Sequence, residues 1–455
     1  MVSSSHLSYG FLLKRAVKLA LPIVFGNLGL VFMGFFDILM LGKVGTNEVA
    51  AAGIANAVFF LFFLFALGVL FAIPPLVAIA VGSGKNWKAW LVLRKSLTIA
   101  VVMGLVLWAL YGFVVYNFDI LKQDADVSQL AQDYLYIVSG SVIPMLVFFA
   151  LKHYLDGLGR TLPASIITLL ALVLNVLLNY MLIYGKMGFE PMGILGAGYA
   201  TLIVRVLMLV VLGLWVAFDS DTRSYRLRAR SRSFTGNYGR KIVRLGMPIG
   251  LQFFFEVAAF SFAAIMAGWL GKVPQAAHNV ALNLANVTYM GATGMAAAGS
   301  ILVGNALGAK NKLSMYKSAN VIFVSVLVYM SFCAAVFVLL RNELSGLFSD
   351  DPNVVVMISL LLVYAAFFQI SDGLQSVGMG LLRGIKDVKI PTLIAFFSYW
   401  IVGIPVSYVL GFNMGMGVVG IWIGFIVGLS LSAILVSKRF YVLSKKINFD
   451  PNNEV

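Results

Sequence analysis

Twelve runs of about twenty or more mostly apolar residues recur along this chain, each long enough at about 1.5 Å of rise per residue to cross a hydrocarbon core of roughly 30 Å. Runs of that length and composition are predicted to be transmembrane helices. They fall at about 16–41, 49–80, 95–118, 130–152, 162–184, 194–218, 242–269, 276–307, 319–340, 354–382, 391–411 and 417–438. The first of them sets the theme. Between Leu19 and Leu41 the only acid is Asp37, inside FFDILMLG, and a carboxylate near a bilayer centre costs about 2.5–3.5 kcal/mol even on a lenient insertion scale. Asp37 must face protein or water, or else sit at the headgroup end of its helix, since Gly42, Lys43 and Gly45 follow closely.

Composition excludes a soluble domain: 61% of residues are hydrophobic, 11% are charged and the mean hydropathy is +0.96. A formal charge of +15 would suggest nucleic acid in a soluble chain, but here the charges lie between the apolar runs, so no nucleic-acid partner is expected. Cys333 is the single cysteine, so no intrachain disulfide can form. The first apolar run is too long for a cleaved signal and lacks a small-residue cleavage site, so the first helix is expected to stay.

Twelve spans put both termini on one side, and the basic residues choose the side. One set of loops holds Lys14, Arg15 and Lys18; Lys85, Lys88, Arg94 and Lys95; Lys152 and Arg160; the run Arg223 to Arg244; Lys310, Lys312 and Lys317; Arg383, Lys386 and Lys389; and Lys438 to Lys446. The other set holds only Lys43, Lys122, Lys186, Lys272 and Arg341, which leaves Arg205 alone within a helix. The asymmetry predicts a multi-pass protein of the inner (plasma) membrane with both termini cytoplasmic, and places Ser231 on the cytoplasmic side. The Arg- and Ser-rich stretch from Asp219 to Lys241 is expected to be a solvated cytoplasmic loop near anionic lipid. It divides the chain into an N-terminal six-helix lobe (1–218), a basic linker (219–241), a C-terminal six-helix lobe (242–441) and a cytoplasmic tail (442–455).

The two halves are copies of one another. Sliding one against the other by 226 positions superposes Pro22 on Pro248, Phe36 on Phe262, Met40 on Met266, Gly42 on Gly268, Gly45 on Gly271, Gly68 on Gly294 and Gly82 on Gly308, all without a gap. Six helices on each side in the same orientation make a parallel repeat about an axis along the membrane normal. The fold class is therefore an all-α polytopic membrane protein, with twelve transmembrane helices in two pseudo-symmetric six-helix bundles.

Residues that the repeats share build the scaffold, and unshared polar residues are the candidates for chemistry. Asp37 aligns with Ala263, Glu256 with Leu30, and Asp372 falls near Pro144 and Met145. These three acids are placed well inside the hydrocarbon. Membrane carboxylates without an obvious basic partner bind a cation or stay protonated. For Glu256 and Asp372 the structural alternative is a mutual, shared-proton contact that locks helices seven and ten together. Asn175 and Asn179, four residues apart on one helical face, can offer two amide carbonyls to one point, or can form interhelical hydrogen bonds. Arg205 is free to pair with an acid, to snorkel, or to bond backbone carbonyls.

The double repeat, FFDILMLG in the first helix, the NVLLNYMLIYG-plus-GILGAGYAT run from Asn175 to Thr201, and LLRGIKDVKIPT resemble the multidrug and toxic compound extrusion (MATE) family over nearly the whole chain. Glu256 and Asp372 are similar to the NorM branch of it. The resemblance implies a V-shaped pair of six-helix bundles exporting organic cations in exchange for sodium or protons. It also implies that Asp37, Asn175 and Asn179 match a first-lobe cation site, and that Glu256 and Asp372 match a second-lobe acidic site for cation or substrate. Some relatives carry a tyrosine one turn before the tenth-helix acid. This chain has Phe368 there, which removes a possible oxygen ligand for sodium.

The expected activity is secondary active antiport by alternating access. A cationic, partly aromatic drug binds in a cleft lined by phenylalanine and methionine, and Na+ or H+ competes for the same carboxylates. No phosphate-cradling G-x-x-x-x-G-K-[ST] loop is present, so an ion gradient is expected to supply the energy. The coupling ion aside, no cofactor is expected; the expected partners are small cationic and aromatic drug-like molecules and membrane lipids, with the chain acting as a monomer. A lipid-intermediate flippase of related architecture is the alternative, but it would need a cationic cavity for pyrophosphate where these charges are mainly acidic. An enzyme is not expected, because His6, His153 and His278 lie at the start of the chain or near predicted helix ends.

Overall fold

In the computed structural model, residues 8–121, 124–230 and 237–447 are described. Among them, eleven helices are long and apolar enough to cross a membrane, and a twelfth span forms if the bent pair Ala125–Ser139 and Val142–Gly157 is counted as one. The single spans are Tyr9–Leu41, Thr46–Gly82, Trp87–Tyr116, Leu162–Tyr184, Gly193–Phe218, Tyr238–Trp269, Lys272–Gly308, Lys312–Leu339, Pro352–Gly384, Lys389–Asn413 and Gly417–Lys446. The pair bends by 44° at Gly140 and Ser141, just before Pro144, whose missing N–H cannot continue the helical ladder. Numbering the bent pair as span four, the twelve expected helices are all present.

The repeat is visible in backbone hydrogen bonds. After spans two and eight the chain turns through left-handed Gly84 (φ 69°) and Lys310 (φ 55°), closed by Lys85 N–H to Ala80 O at 3.1 Å and Asn311 N–H to Ala306 O at 2.9 Å. After spans four and ten it turns through Gly159 (φ 79°) and Lys386 (φ 65°), closed by Arg160 N–H to Leu155 O and Asp387 N–H to Leu382 O, both at 2.9 Å. The same turn is then braced by opposite charges. Arg160 pairs with Asp219 at 2.7 Å and with Asp221, whereas Asp387 accepts from Arg439 at 2.5 and 3.2 Å.

Packing divides the chain into two units, Met1–Val24 with Val81–Gly84 and Leu251–Val455, and Phe25–Ala80 with Lys85–Gly250. The divisions run through the first and seventh spans, whereas the sequence drew its boundaries around the linker. Within the first unit Ala20 and Val24 lie so close to Gly294 that a Cβ there would collide with them. Within the second, Gly246 and Gly250 stand in the same relation to Val69 and Phe65. The 226-residue offset carries Ala20 onto Gly246 and Val24 onto Gly250, so each repeat lends the first half of its leading helix to the other unit in the same way.

Two expectations need correction. The linker is not simply a solvated loop, because Ser220–Arg230 is a helix. Asp219 caps it, accepting from Thr222 N–H at 2.8 Å, and it is held by the Arg160 ion pairs, by Tyr154 Oη against Thr222 Oγ1 at 3.3 Å and by Asn86 donating to Tyr225 Oη at 3.4 Å. Ser231, whose cytoplasmic placement the sequence predicts, lies outside the described residues. Nor are Lys152 and Arg383 loop residues: both sit in helices that run on past their apolar stretch. Lys152 is buried against Asp156 at 3.0 Å, an i,i+4 pair that needs no other element.

Span two breaks at Phe71 and Ala72, and the cause is local. Pro74 and Pro75 have no N–H, so the carbonyl of Leu70 loses its donor four residues on. His153 of span four takes that place, its Nδ1 lying 3.2 Å from Leu70 O. In the second repeat the equivalent helix is continuous, with Ser300 and Ile301 where the prolines stand. There Gly380 lets its own backbone approach Ala296 O so closely that a Cβ would collide. Replacing His153 with Ala should therefore leave Leu70 O unpaired in a buried setting and destabilise the protein by about 1–3 kcal/mol, read as a lower unfolding midpoint in detergent. An unchanged midpoint would show that the carbonyl finds another donor.

Candidate functional site

Asp37 projects from the second half of the first span and is only 6% exposed. Spans five and six supply its partners. Asn179 donates through Nδ2 to Asp37 Oδ1 at 2.5 Å and to Asn175 Oδ1 at 3.4 Å, and Thr201 Oγ1 donates to Asp37 Oδ2 at 3.4 Å. One turn beyond Thr201, Arg205 donates to Ser141 Oγ at 2.7 Å and lies 4.9 Å from the ring centre of Phe59. Its guanidinium is within electrostatic reach of Asp37 but forms no ion pair with it. The structure thus brings Asp37, Asn175 and Asn179 together, although not with both amide carbonyls turned to one point. Asn179 presents its NH2 to the carboxylate, and its own Oδ1 is buried without a hydrogen-bond partner among the described residues. A carboxylate beside an unused amide oxygen and a hydroxyl is an all-oxygen donor set, the kind a hard cation prefers.

The second cluster lies on spans seven, ten and eleven. Glu256 is 9% exposed, and its Oε1 accepts from Gln252 and from Gln375, each at 3.0 Å. Both amides are held in turn: Arg383 Nη2 donates to Gln252 Oε1 at 3.4 Å, and Tyr399 Oη donates to Gln375 Oε1 at 2.9 Å. Asp372 is equally buried, at 8% exposure, yet it makes no hydrogen bond or ion pair among the described residues. Its field reaches Glu256 and the nearby phenol of Tyr289, but no shared-proton bond joins the two acids. Phe368, one turn earlier, is buried against Trp422 (ring centres 5.4 Å apart) and Phe260 (6.0 Å) and offers no oxygen. Among the described residues no three His, Cys, Asp or Glu side chains gather into a metal-binding group.

Sequence reasoning missed Thr201, Gln252, Gln375, Tyr399 and Arg383. Two of these had a signal. Gln252 stands four residues before Glu256, on the same helical face, and Gln375 stands three after Asp372. Arg383 was hidden by its own neighbours, because a basic residue beside Gly384, Lys386 and Lys389 reads as the start of a loop.

Known proteins resemble this chain along nearly its whole length. The family model described as MatE matches residues 22–181 and 248–409, one segment in each repeat. Among curated proteins, the chain is 34% identical over 439 residues to the multidrug resistance protein NorM of Aliivibrio fischeri, covering 95% of each chain. It is 31% identical over 448 residues to the probable multidrug resistance protein NorM of Rhizobium meliloti, covering 96% of this chain and 95% of that one. Among solved structures, a eukaryotic MATE transporter superposes with a TM-score of 0.86 at 22% identity, covering 96% of this chain and 98% of the other. A point variant of the Vibrio cholerae MATE transporter VcmN gives 0.86 at 18% identity, covering 97% and 98%. At those identities the structural likeness speaks for the fold alone.

Proposed function

Since the chain belongs to the MatE family and is similar to NorM proteins along nearly its whole length, we propose that it is a multidrug efflux transporter: a secondary antiporter that exports organic cations in exchange for Na+ or H+. It works in the inner membrane as a monomer with both termini cytoplasmic. The observation that carries this reading is that each repeat buries its own acidic cluster at a position the other repeat does not share. A buried carboxylate must be met by a counter-charge or a proton. Drug and coupling ion can supply that counter-charge in turn, and a ligand that binds one conformation better than another shifts the population between them.

Sodium or a proton is a transported substrate on this reading. In the first cluster Asp37 Oδ1 and Oδ2, Asn179 Oδ1, Asn175 Oδ1 and Thr201 Oγ1 are the oxygens available to sodium; in the second the carboxylates of Glu256 and Asp372 stand without help from Phe368. The first cluster therefore fits sodium better and the second fits an organic cation, whose charge is diffuse and needs no complete oxygen shell. Reconstitution into liposomes separates export from lipid translocation. Gradient-dependent movement of a fluorescent organic cation is expected; scrambling of a labelled lipid without cation movement would overturn the reading in favour of a flippase.

A further inference from the structure

The second cluster is not symmetrical in its charges. Glu256 is tied through Gln252 to the Arg383 guanidinium, and it is within electrostatic reach of it. Asp372 has no such support. Among the described residues two carboxylates and one fixed cation leave a single uncompensated negative charge, and it resides on the acid that makes no hydrogen bond there. From this geometry we propose that Arg383 sets the valence of the cations this site accepts: it reserves Glu256 as a compensated anion, leaves Asp372 to be met by the ligand, and so selects monovalent organic cations over divalent ones. The proposal rests on the reading that Glu256 and Asp372 form a cation site.

Physical chemistry gives the direction. In a buried site an extra charge is expensive unless it is paired, so a monocation completes the balance while the second charge of a dication meets the guanidinium field with no carboxylate left over. The arginine is not something the scaffold needs at this place. By the matching turns after spans four and ten, the first repeat carries Asp156 where the second carries Arg383, and the backbone turn is the same. There the side chain closes a local pair with Lys152; here it extends to another helix, lying 5.3 Å from the ring centre of Phe253 while it reaches Gln252. Arg383 is thus a positioning residue, acting on the ligand through Gln252 and Glu256.

The test uses two phenanthridinium dyes with the same aromatic core, ethidium with one positive charge and propidium with two. Their binding to the purified full-length protein is read by fluorescence polarisation on monodisperse samples. The unmodified protein is expected to bind ethidium more tightly. Arg383→Gln, with Arg383→Met as a second neutral side chain of similar length, should shift the propidium-to-ethidium affinity ratio by about tenfold toward propidium, the scale of one partly screened charge interaction. Arg383→Lys should keep the original ratio, and Glu256→Gln combined with Arg383→Gln, which again leaves one carboxylate, should restore it. A ratio unchanged in both neutral variants would overturn the proposal. Should Asp372→Asn bind both dyes as tightly as the unmodified protein, the underlying cation-site reading would fail instead, whatever Arg383 does.

Discussion

Asp37→Asn should lose ion-driven export almost completely while the protein still reaches the membrane. The substitution keeps the shape of the side chain and its hydrogen bonds with Asn179 and Thr201 in part, but it removes the charge. Truncating one partner of a desolvated charge interaction costs about 2–5 kcal/mol, so the expected fall in coupled transport is at least ~30-fold. Asn179 then tells the coupling ion. Sodium needs oxygens in number, and Asn179 Oδ1 is buried and unused, so under sodium coupling Asn179→Leu should weaken sodium dependence sharply. A proton needs only the carboxylate, so under proton coupling Asn179→Leu should be mild and Asp37→Asn alone severe. Transport by Asp37→Asn at the unmodified rate, under sodium and pH gradients alike, would make the carboxylate structural.

Glu256→Gln and Asp372→Asn should each abolish most export, but for different reasons. Among the described residues Asp372 makes no hydrogen bond, so its replacement removes an uncompensated charge and little else, and the protein should fold as stably as before. Glu256 anchors Gln252 and Gln375, so its replacement also loosens a network that reaches Arg383 and Tyr399. Export measured beside thermal stability should therefore separate the two, with Glu256→Gln losing both and Asp372→Asn losing transport alone. Normal efflux from both single variants would remove these acids from the mechanism.

The fold was largely legible because a bilayer imposes a length on its helices, and because the 226-residue repeat aligns glycines and prolines whose placement apolar bias cannot produce. Span four bends because Gly140 and Pro144 interrupt a run whose hydropathy is continuous. Ser220–Arg230 reads as a solvated loop because its charges are visible in sequence, while Arg160, Tyr154 and Asn86, which hold it, come from separate stretches. The three acids stand out in the sequence because a carboxylate is conspicuous in an apolar run. Amides are not. Gln252 and Gln375 carry no charge, Asn179 showed its spacing but not which end of the amide would face Asp37, and the partnership of Arg383 with Gln252 joins residues 131 apart in the chain.

If drug and coupling ion are exchanged against one another at buried carboxylates, as proposed, either one can drive the other. In liposomes containing the purified protein, with no sodium or pH gradient at the start, an imposed gradient of an organic cation should drive Na+ or H+ across the membrane in the opposite direction, recorded with a sodium- or pH-sensitive dye. Ion movement that follows the drug gradient, and that disappears in Asp37→Asn or Asp372→Asn, is the predicted result. Organic cation crossing at the full rate with no opposing ion flux would rule out exchange.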